Sequence, residues 1–304
     1  MYLAMQTWRK ISMLMLLNIQ EFLERANRGE VKLPSHLLEE FKDACGKAIE
    51  KQFNREAGST LRMSSVGRPI CQQILARQNC SKEGSYNDIM RFLFGDVIEA
   101  IAMLVMKASG VNIVQEQTRC SLELDGETIK GTLDVIIEED GKQAVWDVKS
   151  ASPYSFDNKF GKGYDAIKED DAFGYITQGH LYGESHKLPF GGWIVINKST
   201  GEWAVVESPD DFGEERTRVL QQANDIVRTV KTADFKKVKL KDDWETYRQD
   251  GETLRTKNRM MPKLCTFCEY KKHCWADARY ENKITSKAKN PPQVWYTRYV
   301  QRSV

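Results

Sequence analysis

The sequence predicts a mixed α/β (α+β) domain, a β-sheet flanked by helices with further helical segments at both ends. Three observations carry this expectation. A long helical signal runs from Ser85 to Ser109, with a capping residue at its start, apolar residues through most turns and Gly110 just past its end. The periodicity then changes to two over Val111 to Leu124, Glu127 to Glu139 and Lys142 to Ser150. These runs are separated by Asp125-Gly126 and Asp140-Gly141, each a strong two-residue hairpin signal. After a polar, Gly-bearing loop at 151–171, a helix to about Ser185 leads into two more strands, Gly192 to Lys198 and Glu202 to Glu207.

With 304 residues, 41% of them hydrophobic, the chain can bury a full core and form one large domain with additions. Up to about Phe53 it reads as two packing helices divided at Pro34-Ser35, with Ser35 placed to cap the second. A polar stretch, Asn54 to Ser65, leads into Arg68-Pro69-Ile70-Cys71 and a short helix to about Gln78. Beyond Glu207, helices are expected to dominate as far as a cysteine cluster. The expected division is an N-terminal helical region at 1–63, a core at 64–276 and a basic C-terminal tail at 277–304.

Ile11 to Leu17 follows Arg9 and Lys10 as a signal peptide would, but Asn18, Gln20 and Glu21 interrupt it, so it reads as an amphipathic helix. Val97 to Met106 carries Glu99 in its midst, and no membrane span is expected. Seven cysteines, three of them within ten residues, fit a disulfide framework poorly and a reducing cytoplasm better. From Arg255 to Val304 there are 12 Lys/Arg against 3 Asp/Glu, leaving 33 against 40 elsewhere. That asymmetry suits a polyanion-binding surface, or a solvated basic tail.

If Asp140-Gly141 is a two-residue turn, opposed residues on the flanking strands have numbers summing to 281, and Asp134 faces Asp147. Thr132, Asp134, Ile136, Val145, Asp147 and Lys149 then share one face, while Leu133, Val135, Ile137, Ala144, Trp146 and Val148 form a uniformly apolar one. Two carboxylates roughly 5 Å apart repel unless a cation or proton lies between them. Oxygen-only ligation suits magnesium or manganese, with Lys149 adding a positive group beside the metal. Glu99, the sole charge between Asp96 and Lys107 on an otherwise apolar stretch, is a candidate further ligand.

These residues resemble the motifs of the PD-(D/E)XK nucleases. The similarity is closest to the RecB-like branch, which includes the CRISPR-associated Cas-four nucleases and AddAB-type recombination nucleases. Gly95-Asp96-Val97-Ile98-Glu99 looks like the first motif, Gly131-Thr132-Leu133-Asp134 the second, and Asp147-Val148-Lys149 the third. Gln178-Gly179-His180-Leu181-Tyr182 matches the branch's Gln-x-x-x-Tyr pattern, with His180 read as structural. The third motif begins with Asp147 where Glu is commoner, and the first lacks a nearby histidine that many members carry. The resemblance implies a restriction-endonuclease-like core with a central mixed sheet. It also implies that Glu99, Asp134, Asp147 and the Val148 carbonyl hold Mg2+ or Mn2+, with Lys149 catalytic and Gln178 and Tyr182 contacting substrate.

Cys265 and Cys268, followed by Cys274 and preceded far upstream by Cys71, look like the [4Fe-4S] staple of the same branch. Structural zinc on the three C-terminal cysteines and His273 is the alternative. Cys45, Cys80 and Cys120 read as small buried hydrophobes, Cys80 being a substitute for Cys71 if that assignment fails. The implied function is metal-dependent DNA exonuclease activity in recombination, repair or DNA processing, a phage-encoded enzyme among the candidates. DNA with a free end or a single strand would be the substrate, and recombination or integration proteins candidate partners. An endonuclease of the same fold, or a catalytically idle DNA-binding partner, is the alternative. No Gly-x-x-x-x-Gly-Lys-[Ser/Thr] loop is present, so helicase or ATPase activity is not expected of this chain.

Overall fold

The computed structural model describes residues 2–54, 61–82, 84, 86–209 and 213–300, with backbone alone for 2–11. The cap expected at Ser85, residues 55–60 of the polar stretch 54–65 and the last four residues lie outside these. The chain divides into two compact units: 1–67 with 85–227, and 68–84 with 228–304. The first 67 residues thus belong with the sheet that follows them rather than to a separate helical region.

In the first unit, helices α1 (Tyr2–Asn27), α2 (Ser35–Phe53) and α3 (Met63–Val66) precede the long α5 (Tyr86–Ala108); α4 (Ile70–Arg77) belongs to the second unit. A five-stranded sheet follows in the order β1 (Ile113–Leu124), β2 (Glu127–Glu139), β3 (Lys142–Ala151), β4 (Phe190–Asn197) and β5 (Trp203–Glu207). Only β3 and β4 pair in parallel, so the sheet is mixed. That parallel step needs a crossover. It is made by α6 (Pro153–Asn158), a 3-10 turn at Phe160–Lys162, α7 (Tyr164–Glu169) and α8 (Tyr175–His186). The loop expected at 151–171 is therefore largely helical: Ser152 caps α6 by accepting from the Ser155 amide at 3.3 Å, and Pro153 starts the helix. At α2 the expected cap fails, since Pro34 occupies the N-cap and Ser35 lies inside the helix.

Both Asp-Gly turns form as expected, with positive φ at all four residues. The β2–β3 register follows the sum of 281 from Glu139↔Lys142 to Val135↔Trp146. Both faces of this hairpin are packed, where the sequence pattern predicts one apolar face. Val135, Ile137, Ala144, Trp146 and Val148 pack against Met15 and Ile19 of α1 and Ala102, Met103 and Met106 of α5. Ile136 and Val145 pack on the other side with Met63, Leu181 and Tyr182. Leu133 joins this second cluster and not the Val135 face. Beside it, Gln117 of β1 has φ 47°, a left-handed kink that breaks regular alternation.

The second unit corrects the expectation of helices and a tail. After α9 (Glu214–Thr232), whose first part belongs to the sheet unit, come α10 (Phe235–Val238), β6 (Asp243–Gln249), β7 (Glu252–Met260), α11 (Lys263–Thr266), α12 (Lys271–Cys274), β8 (Arg279–Asn282) and β9 (Gln293–Arg298). The strands form an antiparallel sheet in the order β6-β7-β9-β8. A third Asp-Gly turn, Asp250-Gly251, joins β6 to β7, again with both φ values positive. Among the described residues no helix is long and apolar enough to cross a membrane.

Candidate metal and catalytic centre

The β2–β3 hairpin carries Asp134, Asp147 and Lys149, and the two sheet faces bring helices to them. From α5, whose Ala102, Met103 and Met106 anchor it on one face, comes Glu99. On the other, Leu181 and Tyr182 seat α8 and deliver Gln178. Gly131 makes room for Tyr182, because a Cβ there would lie 2.6 Å from the ring's Cε1 and 3.0 Å from Met63 Sδ.

Asp147 is 1% exposed. Its Oδ1 accepts one hydrogen bond, from the Gln178 amide at 3.3 Å. The Lys149 ammonium lies 2.5 Å from Oδ2 and pairs with it. Asp134 Oδ2 accepts from the Val148 amide at 2.8 Å. Glu99 accepts from the Gln117 side chain. Three carboxylates thus share three conventional hydrogen bonds and one lysine.

The electrostatics follow from that shortage. Burial pushes Glu99 up to about 7, with Lys149 and Lys51 opposing the rise and Asp96 and Asp147 adding to it. Asp134 is held well above the usual carboxylate range, by burial first and then by the charges of Glu99 and Asp147. For Lys149 burial works against the ammonium, yet Asp147 and Asp134 outweigh it and keep its pKa above the ordinary value. Such an arrangement favours a proton or a cation among the acids. Among the described residues, no three His, Cys, Asp or Glu side chains are placed, as they stand, to hold a metal ion. The mutual repulsion of the acids and their all-oxygen donor set nevertheless fit a hard divalent cation, which these carboxylates would have to close around.

Gln178 and Tyr182 lie side by side as their four-residue spacing requires: the Gln178 amide donates to Tyr182 Oη at 3.3 Å as well as to Asp147. This geometry orients a carboxylate. His180 is buried, 3.4 Å from Tyr164 Oη and edge-on to Phe190, and burial lowers its pKa to about 4, in keeping with a structural role. Val148, the expected carbonyl ligand, gives its amide to Asp134 and pairs with Ile194 of β4.

Sequence reasoning missed three contributors. Gln117 bonds Glu99 from a left-handed position that no local signal announces. The Tyr175 ring lies 5.5 Å from the Lys149 ammonium. Asp171 caps α8 by accepting from the amides of Tyr175 at 2.7 Å and Ile176 at 2.9 Å, and an Asp just ahead of a helical run is a readable capping signal. Beside Glu99, a cleft of about 420 Å³ opens between α2, α5 and β1, lined by Lys47, Lys51, Phe41, Met103 and Gln117 among others.

In the second unit the four cysteines expected to act together do influence one another. Burial raises Cys265 to about 12, and Cys71, Cys268 and Cys274 add to the rise. Cys268 is raised to about 11, by burial and then by Cys71 and Cys274, against an amide donated from Tyr270 at 3.4 Å. As they stand, no three of these thiols are placed to hold a metal ion among the described residues. His273, the alternative fourth donor, is exposed and edge-on to Phe235 at 5.8 Å. Cys80 packs in the same cluster as Cys268 and Cys274, and Cys120 lies 3.7 Å from Met63 Sδ.

No family model matches this chain, and no curated protein matches it. Among solved structures it is similar to a crystal structure of SSO0001, at 15% identity and a TM-score of 0.37, over 62% of this chain and 84% of that one. A likeness of that size establishes no shared fold.

Proposed function

We propose that the chain is a magnesium- or manganese-dependent deoxyribonuclease with a restriction-endonuclease-like core, acting as an exonuclease. The observation that carries this reading is the group Glu99, Asp134, Asp147 and Lys149: one buried and two half-buried acids with few hydrogen bonds, Glu99 and Asp134 raised above the usual carboxylate range, beside one lysine. Glu99, Asp134 and Asp147, with the Val148 carbonyl, would hold the cation. A bound divalent ion supplies Lewis-acid polarisation of the phosphate and a water of lowered pKa.

The chain's own residues supply the rest. Lys149 offsets charge on the scissile phosphate and orients the attacking water. Gln178 fixes the Asp147 carboxylate through Oδ1, and Tyr182 holds Gln178 in place. The pull of Asp147 and Asp134 keeps Lys149 charged, which suits electrostatic stabilisation better than proton abstraction. Cys71, Cys265, Cys268 and Cys274 would hold a [4Fe-4S] cluster in the other unit, with a structural part.

The test is incubation of the purified chain with end-labelled linear and circular single-stranded DNA, with Mg2+, Mn2+ or a chelator. Metal-dependent loss of the linear strand with the circle intact supports an exonuclease. Cutting of the circle makes it an endonuclease, and no cleavage under any condition removes the reading.

A further inference from the structure

The two units differ sharply in charge. Residues 68–84 and 228–304 carry 22 Lys/Arg against 10 Asp/Glu, a net +12; the remainder carries 23 against 33, a net −10, together giving the chain's +2. A polyanion is attracted by the first and disfavoured by the second. Within the basic unit, the β6–β7 hairpin sorts its residues by face. One side holds Glu245, Thr256 and Asn258, joined in a buried hydrogen-bonded network. The other side, by alternation, carries Trp244, Thr246 and Arg248 on β6 and Thr253, Arg255, Lys257 and Arg259 on β7, with no acid among them.

Arg259 is committed, bonded to Asp242 at 2.6 Å and stacked over the Trp244 ring at 4.5 Å. Arg248, Arg255 and Lys257 are exposed and have no acidic partner among the described residues. Same-face residues on a strand recur about every 7 Å, comparable to successive phosphates on an extended strand. Trp244, 36% exposed, adds an aromatic surface beside them.

We propose that this outward hairpin face, Trp244 with Arg248, Arg255 and Lys257, binds a single strand of nucleic acid, the cations meeting phosphates and the indole stacking on a base. The choice of nucleic acid rests on reading the acidic centre as a nuclease site. Backbone neutralisation with an aromatic platform is how single strands are held without sequence preference.

The experiment is fluorescence anisotropy of the full chain with a labelled oligo-dT and with a labelled duplex, in chelator so that nothing is cleaved, over a series of salt concentrations. Arg255→Gln with Lys257→Gln should weaken oligo-dT binding and flatten the log–log salt slope by about 1.4, at ~0.7 per lost contact. Trp244→Ala should weaken it on the order of tenfold, and the duplex far less. Melting curves check folding, and Arg248→Gln samples the other strand with a single exposed change. Unaltered affinity and slope in both charge variants overturn the assignment; so does a Trp244→Ala chain that binds oligo-dT normally while preferring duplex. If binding behaves as described but the wild-type chain cleaves nothing in Mg2+ or Mn2+, the nuclease reading fails and the hairpin assignment stands.

Discussion

Glu245 in one unit and the acids around Lys149 in the other are carboxylates withdrawn from water and treated in opposite ways. Glu245, 0% exposed, accepts from Tyr296 Oη at 2.6 Å and from Thr285 Oγ1 at 2.9 Å and its amide at 3.3 Å on one oxygen. Its other oxygen accepts from Asn258 at 2.6 Å and Thr256 at 3.1 Å. Burial pushes its pKa up, but these bonds more than offset the push and hold it below the ordinary value. Asp134, Asp147 and Glu99 have one directed bond each, from Val148, Gln178 and Gln117. Burial and mutual repulsion leave Asp134 and Glu99 raised. A buried charge that serves the fold is given its donors; one left short has coordination capacity for something else.

The largest effect expected from this contrast is on activity. Asp134→Ala and Lys149→Ala should each reduce DNA hydrolysis to background while circular dichroism stays native. Turnover at the wild-type rate in either variant would break the comparison at its functional end. Stability should move the other way. Glu245→Ala strands several buried donors and should cost roughly 3 to 5 kcal/mol in denaturant unfolding. Asp147→Asn relieves repulsion on Asp134 and Glu99 but also removes the partner of Lys149, so it should cost the metal-free chain clearly less than Glu245→Ala. Equal losses in the two variants would erase the distinction.

Cys268→Ala should lower melting temperature and iron content together, and activity should fall only as the folded fraction falls. A folded, iron-free chain with no cleavage would give the cysteines a catalytic part. A smaller effect concerns pH. Glu99 carries an ordinary value of 4.5 and is pushed up to about 7, so the folded chain binds its proton more tightly than the unfolded one. Its contribution is full below 4.5 and is lost as pH rises through about 7. His180, lowered to about 4, contributes oppositely, losing stability as pH falls from 6.5. The difference between wild type and Glu99→Gln, both metal-free, isolates the first term: the wild type should gain stability relative to the variant on acidification from pH 8 to 5. A constant difference over that range would show that Glu99 is not raised. Smallest of all, Gly131→Ala should cost about 1–3 kcal/mol by pressing on the Tyr182 ring.

How far the sequence could be read depended on what each element buries. The β2–β3 register was legible because an Asp-Gly turn sits between strands whose buried residues are largely apolar, and five opposed pairs keep the sum of 281. It did not extend to Asp134 facing Asp147: the ladder stops at Val135↔Trp146, and Asp134 turns to the Val148 amide. Neither the left-handed Gln117 nor the placement of Leu133 in the other core has a signature in the residue types. The same Asp-Gly signal stands at Asp250-Gly251, but the inner face of that hairpin includes Glu245, Thr256 and Asn258. A strand that buries a polar network shows no hydrophobic alternation, so period-two reading is blind to it. The grouping of Cys71 with Cys265, Cys268 and Cys274 rests on the motif pattern; burial explains why the thiols of Cys265, Cys268 and Cys274 are raised.

The most direct test of the central contrast is a titration of Mn2+ into the chelator-stripped chain, with free ion followed by electron paramagnetic resonance. Wild type, Asp147→Asn and a Glu245→Gln variant shown to be folded should be compared at pH 8. Wild type and Glu245→Gln should bind Mn2+ alike, and Asp147→Asn should bind it at least tenfold more weakly. Equal binding by wild type and Asp147→Asn would contradict the account, because the acids left short of hydrogen bonds would then not be a cation site.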